Sequence, residues 1–181
     1  MNISEAIAKG KSIRAYLDKP VLNDDLEKIV EAGRWAPNGR SFQISVVRNA
    51  ELRKRINDRT HDAMVNSGNK FLQQRVSLPG YQPLYGPHRC LILLSGPDDA
   101  PYSAHNAVLA AENMLLEATE LGLGSCYIIS PILALNGTNN RDLAQKAAIP
   151  DAYRVQWAVI VGYAAFENKF SLGDRTRKGL C

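Results

Sequence analysis

The sequence predicts a single domain of three layers, in which helices cover a sheet. Patterns typical of helices and strands follow each other in the order helix, helix, strand, helix, strand, helix, strand, helix, strand. The length of 181 residues suits one domain with a substantial core. No internal repeat, low-complexity tract or interdomain linker divides the sequence, so we expect residues 1–181 to form one unit.

Two helices are predicted before the first strand. Residues 1–9 have the pattern of an amphipathic helix, and a second helix is predicted to begin at the cap Asn23 and to end before Pro37. Asp24 and Asp25 suit the positive end of that helix dipole. The apolar faces consist of Ile3, Ala6 and Ile7 in the first helix and of Leu26, Ile29, Val30 and Gly33 in the second.

Four apolar runs predict the strands. They are residues 44–49, 88–96, 122–130 (a glycine turn and then a strand) and 153–163. The run 88–96 is almost continuously apolar, which indicates a central strand. The helices between them are predicted to begin near Asn49 or Ala50, to span most of 102–122, and to begin at Asn139 or Asn140 and end by Ile149.

The helix within residues 102–122 is apolar on more than one side. Its apolar residues are Ala107, Val108, Leu109, Ala110, Ala111, Met114, Leu115, Leu116 and Ala118. Such a helix is covered either by the rest of its own chain or by a second subunit, and the pattern alone leaves both open.

Residues 66–87 predict a long loop rich in Gly, Pro, Asn and Gln, with Tyr81 and Tyr85 within it. A loop of this length in a small domain is usually functional or mobile. We therefore treat it as a candidate lid over the substrate.

Composition excludes several classes of function. Hydrophobic residues make up 45% and charged residues 22%, and the net charge of +4 comes partly from residues 48–59, which lack the aromatic residues of a nucleic-acid surface. No run has the length of a membrane span and none resembles a signal peptide, which predicts a cytoplasmic protein. Neither metal-binding nor disulfide spacing occurs among Cys90, Cys126, Cys181, His61, His88 and His105.

The stretch Gly10-Lys11-Ser12 matches the end of a nucleotide-hydrolase phosphate loop, but Glu5 stands where that loop requires glycine, and a helix precedes it instead of a strand. Lys9, Lys11, Ser12 and Arg14 nevertheless offer cations and a hydroxyl suited to a phosphate monoester. A solvated basic turn is the alternative, and the segment alone does not decide between them.

Four stretches in this order resemble the FMN-dependent nitroreductase family over almost the whole chain. They are "GKSIRAY", "APNGRSFQ", "YGPHRCLILLS" and "AENMLLEATELGLGSCYI". The resemblance implies an α+β fold, an α-β-α sandwich with a central, mostly antiparallel sheet flanked by helices, in a homodimer with FMN at the interface. It also implies a ping-pong reaction in which NADH or NADPH supplies a hydride and a nitroaromatic, a quinone or a similar small molecule receives electrons.

The resemblance also implies the site residues, all of which bind the cofactor. The phosphate would contact Lys11, Ser12 and Arg14, joined by Arg175 or Arg177. One side of the ring would contact Pro37, Asn38, Gly39, Ser41 and Gln43, and the other side Cys126, Tyr127, Ile128 and Ile129. No side chain is expected to act as an acid, base or nucleophile, because the flavin N5 carries the chemistry, and no metal is expected. Cys126 itself is expected to be a buried thiol.

Three departures from the family pattern leave alternatives open. Gly10 replaces an arginine, Ile44-Ser45 replaces Pro-Trp, and Ile129-Ser130 replaces a small residue. The first predicts weaker FMN retention, because an ammonium from Lys9 or Lys11 lacks the bidentate fork. The others are compatible with specialised flavin chemistry, such as ene reduction, dehalogenation or ring oxidation. A non-catalytic flavin-binding protein is a further alternative.

Overall fold

The computed structural model describes residues 1–38, 42–86 and 90–166. Within these ranges four strands form one antiparallel sheet in the order β1-β2-β4-β3. The strands are β1 (Gln43–Val47), β2 (Cys90–Pro97), β3 (Gly124–Ile128) and β4 (Tyr153–Gly162). The apolar run 88–96, predicted to form a central strand, contains β2, which lies between β1 and β4. Strands β1 and β3 form the opposite edges of this sheet.

The helices of the described ranges surround this sheet. In chain order they are α1 (Ile3–Lys9), α2 (Asn23–Arg34), α3 (Ala50–Val65), α4 (Lys70–Val76), α5 (Ser103–Glu120), α6 (Pro131–Leu135) and α7 (Arg141–Lys146), with a single 3-10 turn at Thr138–Asn140. No helix within 1–38, 42–86 or 90–166 combines the length and apolar character needed to cross a membrane.

One face of the sheet packs against α2 and α5. The buried residues of this layer are Leu26, Ile29, Cys90, Ile92, Leu94, Ala107, Ala111, Met114, Ala118, Val159 and Val161. The residues of β2 and β4 in this set alternate along their strands, since successive side chains of a strand point to opposite faces. The apolar positions that predicted the buried faces of α2 and α5 thus include the residues that these helices bury.

The other face packs against α3, α6 and α7. Its core includes Ile56, Leu91, Leu93, Cys126, Ile128, Leu135, Leu143, Ala144, Val155, Ala158 and Ile160. In register, Leu91 lies opposite Val47 of β1 and Ile160 of β4, and the pairing of β2 with β4 shifts between Leu94 and Ser95. The predicted three-layer α-β-α sandwich with an antiparallel sheet is therefore confirmed.

The observed ends of α2 and α3 can be compared with the capping residues predicted from the sequence. The side-chain oxygen of Asn49 accepts the Leu52 N–H at 2.8 Å, so α3 begins as predicted. Asn23, in contrast, is the first residue of α2 and not its cap: Leu22 occupies the cap position, and no side chain caps this helix. The helix ends at Arg34, before Pro37 as predicted.

The prediction of a loop at residues 66–87 was wrong, and a stretch without a predicted element also contains a helix. Residues 66–87 contain α4, whose start is capped by the Asn69 side chain accepting from Phe71 at 2.9 Å and Leu72 at 3.4 Å. The stretch after β3 contains α6 and the 3-10 turn before the predicted short helix. Both helices are too short to show an apolar period clearly, and the neighbouring Gly, Pro and Asn residues obscure them.

Gly33 brings α2 close to α5. A Cβ atom at this position would lie 2.2 Å from the terminal methyl of Met114 and 3.0 Å from its Cγ. Met114 is fully buried, so its side chain has little space into which to move.

We therefore expect Gly33→Val to lower the free energy of unfolding by about 2 kcal/mol or more, because it overpacks this contact. Urea unfolding followed by circular dichroism measures the loss. Lys28→Val is the matched control, since it introduces the same residue at an exposed position of the same helix, and it should change the free energy of unfolding by no more than about 0.5 kcal/mol. Equal effects of the two variants would show that the α2–α5 contact tolerates a larger residue.

Candidate active site

A cleft of about 230 Å³ opens between the segment after α1, helix α5 and the edge strand β3. It is lined by Ile7, Gly10, Lys11, Ser12, Glu112, Leu115, Leu116, Thr119, Ser125, Cys126 and Tyr127. Four residues predicted for the site from two distant parts of the sequence, Lys11, Ser12, Cys126 and Tyr127, therefore meet here.

Backbone pairing builds one wall of this cleft. Ser12 forms a parallel bridge with Ser125, and the Ile13 N–H donates to the Ser125 carbonyl at 2.8 Å. Gly124 permits this approach, since a Cβ there would lie 2.9 Å from a methyl carbon of Ile13. The segment after α1 is thereby fixed beside the first half of β3.

The second half of β3 keeps an open edge within the described residues. The Ser125 carbonyl points away from β4, towards Ile13. Because backbone groups alternate in direction along a strand, the N–H and C=O of Tyr127 point the same way, towards the cleft. No other described strand pairs with this edge. The cleft therefore contains a backbone donor and acceptor next to Lys11 and Ser12.

Cys126 is a buried, protonated thiol. Burial raises the pKa of Cys126, and the charges of Arg14 and Arg75 and a hydrogen bond with Ser12 oppose that rise only in part. A nucleophilic cysteine requires a lowered pKa. The expected role as a core thiol agrees with this environment.

Tyr127 presents its ring to the α5 side of the sheet. The ring packs on Trp157 with a centroid distance of 5.2 Å and an interplanar angle of 36°. Burial raises the pKa of Tyr127 to about 12, so its phenol stays neutral at physiological pH. The side chain is thus a neutral aromatic support for the cleft wall.

Helix α5 supplies the opposite wall, which the sequence-based site did not include. Glu112, Leu115, Leu116 and Thr119 lie on one helix face. Their spacing places them on one helix face and could have indicated a second wall of the site. The same spacing is typical of a helix that packs in the core, so it did not distinguish the two. Glu112 lies about 10 Å along the helix from Thr119, which itself lies near Gly10. The acidic group is therefore at the opposite end of the cleft from Gly10.

Arg14 does not line the cleft with Lys11 and Ser12. Its guanidinium donates to the Ser12 carbonyl at 3.4 Å and is close enough to Tyr81 to influence the pKa of that phenol. The predicted phosphate cluster is therefore divided: Lys11 and Ser12 line the cleft, and Arg14 does not.

The turn after α2 lies elsewhere. Pro37 and Asn38 are exposed, and the Asn38 side chain donates to the Ala36 carbonyl at 3.2 Å. Gln43 begins β1, at the opposite edge of the sheet from β3, where its side-chain amide donates to the Ser45 hydroxyl at 2.9 Å and to the Ala148 carbonyl. None of these residues lines the cleft.

The remaining predicted residues divide into three groups. The side chain of Ile128 is buried in the core beneath α3, whereas Ile129 is exposed just beyond β3. Gly39, Ser41, Arg175 and Arg177 lie outside the described residues.

A larger depression of about 690 Å³ lies between α2 and β1. Its lining includes Glu27, Glu31, Lys28, Arg34 and Arg48 and none of the predicted site residues. We identify the smaller cleft as the candidate site, because there a cation, hydroxyl groups and a strand edge converge. Within the described ranges, no group of three or more His, Cys, Asp or Glu residues is arranged to hold a metal ion.

Known proteins are similar to this chain in fold and in part of the sequence. A protein of Archaeoglobus fulgidus, provisionally named NADH dehydrogenase/NAD(P)H nitroreductase, is 26% identical over 176 residues, which cover 91% of this chain and 86% of that protein. A nitroreductase from Bacteroides fragilis with bound FMN is 29% identical, with a TM-score of 0.85 and coverage of 99% of this chain and 96% of that one.

A nitroreductase from Desulfitobacterium hafniense with bound FMN has a TM-score of 0.88 at 21% identity, with coverage of 100% and 99%, and so shares the fold. The model of the nitroreductase family matches residues 7–163, a range that includes both walls of the cleft. The chain therefore belongs to the nitroreductase family.

Proposed function

We propose that this protein is an FMN-dependent oxidoreductase that uses NADH or NADPH to reduce a nitroaromatic, a quinone or a similar small acceptor. The observation that supports it best is the cleft, where Lys11 and Ser12 adjoin the open edge of β3. When bound, FMN accepts a hydride from the nicotinamide and passes electrons to the acceptor in a ping-pong cycle. The protein's residues bind and orient the reactants.

Lys11 and Ser12 are suited to the cofactor's phosphate. An ammonium and a hydroxyl at the cleft wall offer a charge-assisted contact and a hydrogen bond to a dianion. Gly10 contributes no side chain to this end of the cleft, where the family pattern has an arginine. We propose Arg175 or Arg177 as the additional cation.

The backbone of β3 is suited to the flavin ring. The outward N–H of Tyr127 can donate to a ring atom, while Leu115, Leu116 and Ile7 provide apolar surface that excludes water. A fixed amide dipole stabilises negative charge without an ionisable side chain. With this arrangement, no side chain has to act as a catalytic acid, base or nucleophile.

We further propose that the protein is a homodimer with the cofactor at its interface. Pro37, Asn38 and Gln43 belong to the β1 end of the chain, and β1 and β3 are separated by two strands in the sheet. The expected ring contacts of these residues therefore require a second copy. The elements that form the cleft also carry exposed apolar side chains: Ile3 (70%) and Ile7 (60%) on α1, Val108 (43%) and Leu109 (45%) on α5, and Ile129 (55%) just after β3.

A cytoplasmic location is also part of the proposal. The two cysteines of the described chain, Cys90 and Cys126, are free and buried. Burial raises the pKa of Cys90 to about 11, so it is also an unreactive thiol. Reduced thiols are usual in the cytosol.

We expect the purified protein to show the absorbance of bound flavin and to lose it when NADH or NADPH is added without oxygen. Addition of a nitroaromatic or a quinone should then restore the oxidised spectrum. Bound flavin that neither nucleotide bleaches would favour the non-catalytic alternative. A colourless protein that cannot be reconstituted with FMN would contradict the whole proposal.

Lys11→Gln should weaken FMN binding by about 10- to 100-fold, since a hydrogen bond involving a charged group contributes about 1.5–3 kcal/mol. Quenching of flavin fluorescence during titration of the apoprotein measures the Kd. Lys146→Gln removes the same charge at the exposed end of α7 and should leave the Kd unchanged. If both variants bound FMN like the wild type, Lys11 would not contact the phosphate.

Leu109→Glu should weaken dimerisation at least 10-fold, or about 1.4 kcal/mol, because it places a charge on the exposed apolar face of α5. Light scattering coupled to gel filtration measures the mass, and flavin absorbance measures occupancy, which should fall with the dimer. Val65→Glu, at the exposed end of α3 on the other face, is the control. A wild-type monomer that retains FMN would disprove the interface site.

A further inference from the structure

Glu112 is the only acidic residue among the described residues that line the candidate cleft. It is exposed, and its carboxylate forms no ion pair or hydrogen bond with another described residue. The rest of this lining consists of one cation, Lys11, and neutral residues. The cleft therefore contains a negative charge that the binding of a phosphate does not require.

The neighbours of Glu112 on the same face of α5 are all apolar. Val108 and Leu109 precede it by four and three residues, and Leu115 and Leu116 follow it by three and four. Residues at these spacings are the ones that can pair with a charged side chain on a helix, so α5 itself offers no partner. A carboxylate within an apolar stripe that a second copy covers loses hydration without such a partner. Packing alone therefore disfavours an acidic residue here.

Glu112 lies towards the far end of the cleft, away from the basic segment. Ser12 pairs with Ser125 at the start of β3, and Thr119 lies near the residue two positions before Ser12. The connection 121–123 turns the chain back, so β3 runs back along α5. From this end, Glu112 lies about 10 Å further along the helix, and Tyr127 lies about 7 Å further along the strand. Glu112 and Tyr127 thus extend in the same direction from the proposed phosphate contacts.

This position places Glu112 on the side of the flavin ring. Under the proposed function, the phosphate of FMN lies at Lys11 and Ser12, and the ring contacts the backbone of Tyr127. The oxidised flavin ring is neutral, whereas the reduced ring carries negative charge near neutral pH, so a nearby carboxylate disfavours the reduced form more than the oxidised form. A second copy that covers the cleft excludes water, which strengthens this repulsion.

We propose that Glu112 lowers the reduction potential of bound FMN, so that the reduced protein is a stronger electron donor towards its acceptor. The inference rests on the proposed function, in which NADH or NADPH supplies the electrons. Glu112 offsets part of the stabilisation that the outward N–H of Tyr127 gives to the reduced ring. The acceptors that benefit are those of low reduction potential, because they require a more strongly reducing cofactor.

Glu112→Gln tests this, since it removes the charge and keeps the size of the side chain. We expect the Kd of reduced FMN to fall by about 3- to 10-fold relative to the Kd of oxidised FMN. For a two-electron couple, this change raises the midpoint potential of the bound cofactor by about 14 to 30 mV. Anaerobic reduction against a reference dye measures the potential, and titration of the apoprotein with oxidised FMN measures its Kd.

Two further variants serve as controls. Glu117→Gln removes an equal charge from the same helix, at a residue that does not line the cleft, and should leave the potential unchanged. Glu112→Asp keeps the charge and should have a potential close to that of the wild type. Light scattering gives the mass of each variant, and its thermal midpoint shows whether it is folded.

The outcomes separate this inference from the proposed function. If Glu112→Gln changes the Kd of both oxidation states by the same factor, the side chain acts on binding alone and the inference is wrong. An unchanged potential would also overturn it, and so would loss of the wild-type dimer in this variant, which would show that the carboxylate pairs with the second copy. The oxidoreductase function would stand in each case. A wild-type protein that binds no FMN, or whose FMN neither nucleotide reduces, would contradict the proposed function itself.

Discussion

The pairing between residues 12–13 and the start of β3 is the contact on which the candidate site depends. The backbone hydrogen bond from Ile13 to Ser125 joins a basic segment near the start of the chain to a strand formed more than a hundred residues later. Gly124 allows it, because any side chain there would meet Ile13. Among the described residues this pairing stops after Ser125, so the strand edge at Tyr127 has no backbone partner from another strand.

The strand order of the antiparallel sheet separates the predicted ring contacts of one chain into two groups. With the order β1-β2-β4-β3, the two edge strands cannot border the same cleft. The basic segment and β3 meet at one edge, and the turn before Gln43 leads to the other. Helix α5 lies under the sheet and also presents Glu112, Leu115, Leu116 and Thr119 to the cleft, so its second apolar side has a role beyond the core.

Features that depend on local physics were predictable from the sequence. Asn49 capped α3, the continuous apolar runs formed the central strands, and the motif around Cys126 formed an edge of the site. Features that depend on distant contacts were not. Helix α4 is short and lies among turn-forming residues, and Leu22 rather than Asn23 took the cap of α2. The hydrogen bonds of Arg75 with Tyr81 and Tyr85 depend on how a whole segment folds back, and no spacing in the sequence predicts them.

The opposed charges of the cleft have a consequence for how any ligand enters it. Lys11 follows Gly10, which lies near Thr119 at one end of the cleft. Glu112 lies about two helical turns along α5 from Thr119. An elongated molecule with a negative head is attracted head-first towards Lys11 and repelled when it is reversed. The two charges thus favour the orientation in which the anionic end of an elongated ligand lies beside Lys11.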